Sequence, residues 1–222
     1  MLTRLNYTVS EDTMQQLLNS MPSYEFKHTI NQPKGNFFYN PWEIKPEFKD
    51  TAWENVLADL GPVGEARIIH LKPGTCYHAH ADIDDRYHLN ISGSYSYLVD
   101  LESEYMHPLG ADGFWYEMDA GLIHSAVNFG AETRTQLVVR KLLNNNVLHN
   151  QVKIKIFWND LSYERARSML DHDLSGWLNR ANKIGKIANF SFTMTDITFD
   201  VEQSDFNVVH ALLPPNFEIA FL

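Results

Sequence analysis

The stretch HAHADIDDRYHLN, residues 78 to 90, concentrates imidazoles, carboxylates and one guanidinium directly after a turn-like PGT. Side chains two positions apart on a β-strand point to the same side. His80 and Asp82 can therefore bind one ion from one face, while His124, which follows 44 residues after His80, can approach from a neighbouring strand. The sequence predicts a metal site formed by His80, Asp82 and His124.

The residues around this stretch are typical of an all-β core. Between residues 65 and 143, short runs rich in β-branched and aromatic residues alternate with turn residues, among them ARIIHL, RYHLNIS, YSYLVDL, GFWYEM and RTQLVVR. Short strands separated by regular turns are characteristic of barrels and sandwiches. We therefore expect one β-barrel or β-sandwich domain here, and we expect it to carry the site.

Two segments flank this core. Residues 1 to 64 are predicted to pack on the barrel, with helices at 8–21 and 50–61 and an edge strand from Tyr24 to Ile30. Residues 144 to 222 are predicted to form a small α/β unit with one amphipathic helix, LSYERARSMLDHDLSGWLNRAN. This unit could shape the substrate entrance, mediate a homodimer or bind a partner.

Composition restricts the class of protein. The chain has 222 residues, 44% of them hydrophobic, which is enough for a sizeable core. Its net charge of −10 argues against nucleic acid or an anionic membrane as a partner. The single cysteine excludes an intrachain disulfide and fits a reducing compartment, and the N-terminal residues lack the apolar run of a signal peptide. We expect a cytoplasmic protein.

The predicted ligand set suggests a class of chemistry. Two imidazoles and one carboxylate on one face of an ion leave three coordination positions open, which is the arrangement of non-haem Fe(II) oxygenases. The same nitrogen and oxygen donors also suit Mn, Co or Zn. The ligands alone therefore do not identify the metal.

Arg134 narrows the choice, because the distal carboxylate of 2-oxoglutarate needs a cation and a guanidinium pairs with a carboxylate through two hydrogen bonds. If residues 130–132 form a three-residue hairpin loop, Arg134 lies on the same side of the sheet as His124, roughly 13 Å away along the strand. A two-residue loop would turn Arg134 outward. Asn128, in register with His124, is a candidate for supporting the ligands.

Arg86 and His88 are also expected to face the metal, since they lie two residues apart on one strand. A cation and an imidazole placed there could bind a carboxylate of 2-oxoglutarate or of an acidic substrate. For Arg86 alone there is a structural alternative, a surface ion pair with Asp84 or Asp85.

The spacing of these residues resembles the paired motifs of the cupin superfamily. The first interval runs from Gly74 to Gly93 and the second from Gly113 to Asn128. The chain departs from metal-binding cupins at three positions, where Asp82, Arg86 and Asp119 stand in place of the usual histidine, glutamate and proline. The resemblance implies a double-stranded β-helix, also called a jelly roll.

Within that superfamily, residues 65–143 look like the aspartyl/asparaginyl β-hydroxylase branch of the Fe(II)/2-oxoglutarate dioxygenases, to which bacterial free-proline hydroxylases are also similar. The resemblance rests on PGT, on the Arg86-Tyr87-His88 triplet, on GFWYEMDAGLIHSAVN and on Arg134 ten residues after His124. The animal aspartyl hydroxylases lack the acid at the position of Asp82. This chain keeps the acid and so looks closer to the free-amino-acid hydroxylases.

The resemblance implies Fe(II) at the three ligands, 2-oxoglutarate with its distal carboxylate on Arg134, and the Arg86 and His88 pair against its other end. It further implies that O₂ and an amino acid, free or within a peptide or protein, are the other substrates, with hydroxylation of a C–H bond and release of succinate and CO₂. Two alternatives stay open: a metal-dependent cupin enzyme that does not use 2-oxoglutarate, and a cupin that binds a ligand without catalysis.

Overall fold

The computed structural model describes residues 2–22 and 27–222 and shows a mainly β protein. Its strands in these residues are, in chain order, β1 (Leu2–Thr8), β2 (Lys27–Thr29), β3 (Asn31–Gln32), β4 (Glu43–Ile44), β5 (Ala66–Leu71), β6 (Thr75–Cys76), β7 (Arg86–Ser92), β8 (Ser96–Asp100), β9 (Tyr105–Pro108), β10 (Phe114–Met118), β11 (His124–Asn128), β12 (Arg134–Arg140), β13 (Gln151–Phe157), β14 (Ile187–Phe192), β15 (Asp196–Glu202) and β16 (Glu218–Phe221). Its helices there are α1 (Glu11–Asn19), α2 (Ala52–Ala58), α3 (Tyr163–Asp173), α4 (Ser175–Lys183) and α5 (Phe206–Leu212). None of these helices is long and apolar enough to cross a membrane.

Two antiparallel sheets form the centre of the molecule. The larger has the order β1-β10-β7-β12-β5-β2, and the smaller has the order β6-β11-β8-β9. Side chains from both sheets line one internal cavity, among them His88 and Gln136 from the larger sheet and Leu98 and Ala126 from the smaller. The prediction of a mainly β core is therefore confirmed.

The larger sheet is buried on both faces, and the two faces differ in chemistry. Because strand side chains alternate, Ile68, Leu89 and Leu137 point away from the cavity and pack with the fully buried Trp53 of α2. The alternate positions on the same strands carry polar and charged groups that face the cavity. The apolar face holds the sheet rigid, and the polar face carries the site.

The N-terminal segment contributes more to this sheet than was predicted. Helix α1 is confirmed within residues 8–21, and the Ser10 side chain caps it by accepting a hydrogen bond from Thr13 N (3.2 Å). Strand β1, which no pattern in the sequence predicted, pairs with β10 at one edge, and β2 pairs with β5 at the other. Of the edge strand predicted from Tyr24 to Ile30, Lys27–Thr29 is confirmed, and Tyr24 to Phe26 lie outside the described residues.

The predicted hairpin between β11 and β12 is wrong. β11 pairs with β6 and β8 in the smaller sheet, whereas β12 pairs with β5 and β7 in the larger one. Residues 129–133 therefore cross from one sheet to the other. Asn128 fixes this crossing, since its Nδ2 donates to Leu71 O (2.9 Å) and Glu132 O (2.8 Å) while its Oδ1 accepts from Gly130 N (2.9 Å).

The C-terminal residues form a further sheet of order β14-β15-β13-β16, packed against α3 and α4. The single predicted helix is two helices that meet at Leu174. Ile83 and Phe38 share the apolar core of this unit, so it packs tightly on the rest of the molecule.

The close approach of Gly93 to Arg134 leads to a test of this architecture. Gly93 has a φ of +99°, and a Cβ there would lie 2.8 Å from Arg134 Cα. We expect Gly93→Ala to lower the free energy of unfolding by about 2–5 kcal/mol, because backbone strain and steric overlap add. Chemical denaturation measures the effect.

Gly74→Ala is the matched control, since Gly74 also has a positive φ (+67°) but no atom lies within 4 Å of the added Cβ. We expect a loss of about 1–2 kcal/mol there. Equal losses in the two variants would contradict the close contact between Gly93 and the start of β12.

Candidate metal centre and its cavity

His80, Asp82 and His124 lie together at one end of the cavity. His80 and His124 form a β-bridge, with His80 N donating to His124 O (3.0 Å) and His124 N donating to His80 O (2.9 Å). Asp82 N donates to Ala120 O (2.7 Å). The backbone of residues 80–82 is thus fixed against the segment that leads into β11.

The two imidazoles are oriented by backbone carbonyls. His80 Nδ1 donates to His78 O (3.0 Å), and His124 Nδ1 donates to Leu122 O (2.8 Å). A carbonyl oxygen only accepts, so each Nδ1 carries the proton and each Nε2 lone pair is available. This backbone support of the distal ring nitrogen is typical of histidines that bind metals.

The donor atoms fit one ion. His80 Nε2 and His124 Nε2 lie 3.9 Å and 3.8 Å from Asp82 Oδ2, and one ligand atom from each residue lies within 4.8 Å of the others. Ligands about 2.1 Å from an ion and at right angles to each other are about 3.0 Å apart, so the two distances to Asp82 need to close by about 1 Å and no pair of ligand atoms by more than about 1.8 Å. Such a shift is within reach of side-chain rotation.

Asp82 uses its two oxygens differently. Oδ2 faces the imidazoles, while Oδ1 accepts from Arg86 Nη2 (2.8 Å). Burial alone would raise the pKa of Asp82, but the guanidinium of Arg86 and then His80 and His124 outweigh it and hold the pKa well below its ordinary value. Asp82 is therefore ionised and presents one oxygen to a metal.

Arg86 belongs to a buried chain of charges. Its other terminal nitrogen pairs with Asp84 Oδ1, and Asp84 Oδ2 pairs with Arg140. Arg86, Asp84 and Arg140 are each 5% exposed or less. The predicted alternative for Arg86, a surface ion pair, has the correct partner in Asp84 but the wrong location. Arg86 and His88 both line the cavity, as predicted, but both terminal nitrogens of Arg86 are engaged by carboxylates.

The second partner of Asp84, Arg140, could not be predicted from the sequence. Arg140 lies 54 residues beyond Arg86, at the end of β12 in register with it. Its guanidinium also lies over the rings of Phe37 (4.3 Å) and Phe38 (4.7 Å). The aromatic loop of the N-terminal segment therefore covers the outer end of this charge chain.

The cavity has a volume of about 200 Å³. Its wall combines apolar side chains, among them Leu98, Ala126 and Val138, with polar ones that converge from the larger sheet. This composition is typical of pockets for small molecules.

Arg134 is 2% exposed and is not among the side chains that line the cavity, but it lies two residues along β12 from Gln136, which does line it. Its guanidinium donates to Tyr97 O (3.3 Å) and to the Oε1 of Gln136, a residue of the cavity wall. Burial lowers its pKa to about 10, so it stays protonated at neutral pH. Among residues 2–22 and 27–222, no carboxylate lies within 4 Å of it. A buried cation in this state needs an anion.

His88 lies between the metal end and Arg134. Burial, and then the positive charge of Arg134, lower its pKa to about 3, so its ring is neutral at physiological pH. The carboxamide of Gln136 is close to His88 and to Arg134. His88, Gln136 and Arg134 thus form a polar strip that leads away from the three candidate ligands.

Sequence reasoning missed Arg67 and Lys27, which also line the cavity. Arg67 faces inward from β5, and Lys27 lies on the edge strand β2. Glu65 pairs with both, at 3.4 Å from Lys27 Nζ and 3.8 Å from Arg67 Nε. The signal was present in the alternation of ARIIHL, where Arg67 shares a face with Ile69.

Asn128 does not line the cavity, whereas His78 does. Asn128 serves the crossing between the sheets and does not support the ligands. His78 is exposed near the cavity entrance, and its ring centroid lies 5.2 Å from that of His80.

The C-terminal unit braces the loop that carries Asp82. Ala81 N donates to Asp171 O (2.8 Å), and Asn179 Nδ2 donates to Asp85 Oδ1 (3.1 Å). Arg180 donates to Gly121 O (3.3 Å), on the segment that precedes His124. Helices α3 and α4 thus hold the two loops that carry the candidate ligands.

A scan against protein-family models finds no family that matches the chain, and a search of curated proteins finds no match. The residues of the site are therefore the basis on which a function can be proposed.

The triad makes a direct prediction about metal binding. We expect His124→Ala to weaken Co(II) binding by about 100-fold or more, because loss of an outer support alone costs 10- to 100-fold and loss of a ligand costs more. Isothermal titration calorimetry measures it. His149→Ala, at an exposed histidine, is the control and should bind Co(II) like the unmodified chain.

The buried charge chain makes a prediction about stability. Asp84→Asn leaves Arg86 and Arg140 with one carboxylate fewer, so we expect the free energy of unfolding to fall by about 3–5 kcal/mol. Asp119→Asn, which removes a half-exposed partner of Lys183, should cost about 1 kcal/mol or less. Similar losses in both variants would show that the charge chain is not a structural element.

Proposed function

We propose that this protein is an Fe(II)/2-oxoglutarate-dependent dioxygenase that hydroxylates an unactivated C–H bond of an amino acid, free or within a peptide or protein. The observation that carries the proposal is the pairing of two features around one cavity. A cluster of two histidines and one aspartate lies at one end, and a buried arginine without an acidic partner among the described residues lies beyond the other.

The order of the strands supports the same proposal. Strands β5, β7, β10 and β12 lie in the larger sheet, and β6, β8, β9 and β11 lie in the smaller. Eight antiparallel strands distributed in this way between two facing sheets are what a double-stranded β-helix requires. In this proposal β1 and β2 are additions at the two edges of the larger sheet.

Iron bound at His80, Asp82 and His124 would supply the redox chemistry, with 2-oxoglutarate and O₂ as co-substrates and succinate and CO₂ as co-products. The protein's part is to hold the reactants. The two imidazoles and Asp82 leave one side of the site open toward the cavity, and the apolar side chains of Leu98, Ala126 and Val138 would limit the access of water to it.

Arg134 would bind the distal carboxylate of 2-oxoglutarate. Val138, in register with His88, is four residues from Arg134, which is roughly 13 Å along β12. A five-carbon diacid and an arginine side chain together cover that distance. Gln136 and His88 lie along this path and can donate hydrogen bonds to the co-substrate.

In this proposal Arg86 acts on the metal ligand and not on 2-oxoglutarate. Its contact with Asp82 Oδ1 keeps that oxygen away from the metal and leaves Oδ2 as the single donor. Asp84 and Arg140 hold the Arg86 guanidinium in place. Arg86 is thus a positioning residue.

The test is the affinity for 2-oxoglutarate of the protein loaded with Mn(II), measured without O₂ by calorimetry. We expect Arg134→Gln to weaken 2-oxoglutarate binding by about 30-fold or more, because it removes one partner of a buried charge pair. Arg165→Gln, at an exposed arginine of α3, should have no effect. Binding of 2-oxoglutarate with equal affinity in the Arg134 variant would contradict the proposed function.

A turnover assay completes this test. Fe(II)-loaded protein incubated with 2-oxoglutarate, O₂ and a panel of amino acids and peptides should release succinate. An absence of succinate together with tight metal binding would favour a metal-dependent enzyme that does not use 2-oxoglutarate.

A further inference from the structure

The charged groups around the cavity do not cancel. The chain Asp82-Arg86-Asp84-Arg140 contains two acids and two cations and is neutral in total. The cluster of Lys27, Glu65 and Arg67 contains two cations and one acid, which leaves one positive charge at the cavity wall. This surplus occurs in a protein whose net charge is −10.

The geometry shows which cation is undersatisfied. The shortest contact between Arg67 and Glu65 joins Nε and Oε2 at the long distance of 3.8 Å, and in the described parts of the chain no other acid lies within 4 Å of the Arg67 guanidinium. Its side chain is 20% exposed, and it lines the cavity. A guanidinium held on a strand without a close carboxylate partner is suited to bind a carboxylate through two hydrogen bonds.

Arg67 lies in the same row of the larger sheet as His88. It pairs with Val138, which pairs with His88, so the three lie in one row across β5, β12 and β7. Neighbouring strands are about 4.8 Å apart, which places Arg67 about 10 Å from His88 along the same wall of the cavity. Arg67 lines the same cavity as Asp82 and His80.

Lys27 extends the cationic surface outward. It is 42% exposed, and burial, and then the charge of Arg67, lower its pKa. A cavity that carries one sign of charge at its entrance attracts the opposite charge. Lys27 and Arg67 would thus guide an anion toward the metal end, on a path separate from the polar strip that ends at Arg134.

We propose that Arg67, assisted by Lys27, is the subsite for a free carboxylate of the substrate. This inference depends on the proposed function and adds the substrate class: a small acid with an ionised carboxylate, not an amino acid whose carboxyl group is tied up in a peptide bond. The cavity volume of about 200 Å³ is below the range of pockets for drug-sized ligands, which favours a small substrate. A backbone amide carries no charge to match the surplus at Arg67.

The experiment uses the full chain loaded with Mn(II) and saturated with 2-oxoglutarate. The probes are the common L-amino acids, their C-terminal amides and a set of simple mono- and dicarboxylates, with binding measured by thermal shift and then calorimetry. We expect at least one free acid to bind and its amide to bind about 30-fold or more weaker. Arg67→Gln should weaken binding of that acid by about 30-fold or more, and Arg67→Lys should recover part of the loss.

Two controls separate this inference from the proposed function. Arg165→Gln should leave acid binding intact, and Arg67→Gln should change the affinity for 2-oxoglutarate by less than about 3-fold, because Arg134 holds that ligand. Three results would each overturn the subsite: equal binding of acids and amides, binding of none of the probes, or unchanged acid affinity in Arg67→Gln. If the same sample still binds 2-oxoglutarate, the proposed dioxygenase function is not affected by these results. If the unmodified chain does not bind 2-oxoglutarate, the proposed dioxygenase function is refuted instead.

Discussion

The division of the Asp82 carboxylate between Arg86 and the two imidazoles is the interaction on which the rest of the site depends. An ionised carboxylate inside a protein is costly unless it is paired, and Arg86 supplies the pair. Arg86 is in turn buried and needs Asp84, and Asp84 needs Arg140. The same contact leaves Asp82 Oδ2 toward His80 and His124. One chain of ion pairs therefore sets the charge state, the direction and the number of oxygens that Asp82 offers.

The fold makes this arrangement possible by separating two tasks within one sheet. The outer face of the larger sheet is apolar and packs under α1 and α2, which supplies stability. The inner face can then carry several arginines, a histidine and a glutamine that would otherwise destabilise the core. The C-terminal helices add support where a loop carries a ligand, through hydrogen bonds to residues 81, 85 and 121. The site is thus held from both sides by parts of the chain that take no part in its chemistry.

Much of this site could be predicted from local sequence. The two-residue period of a strand was enough to place His80 with Asp82 and Arg86 with His88. The charge of Arg134 in a largely apolar strand identified it as a candidate functional residue. The pairing of strands could not be predicted, because a short loop is compatible with a hairpin or with a crossing between sheets. The hydrogen bonds of Asn128 stabilise the crossing, and one of them is accepted by the carbonyl oxygen of Leu71, which is distant in the sequence. The pairs that Arg140 forms with Asp84 and Lys27 forms with Glu65 were missed for the same reason, since ion pairs between distant strands leave no local pattern.

The central claim is that one cavity joins a three-residue metal site to a carboxylate site on Arg134. The most direct measurement is a crystal structure of the protein grown without O₂ in the presence of Mn(II) and 2-oxoglutarate. We predict one ion bound by His80 Nε2, Asp82 Oδ2 and His124 Nε2, with the keto acid end of 2-oxoglutarate at the ion and its far carboxylate on the Arg134 guanidinium. An ion held by other residues, or a 2-oxoglutarate molecule that makes no contact with Arg134, would contradict it.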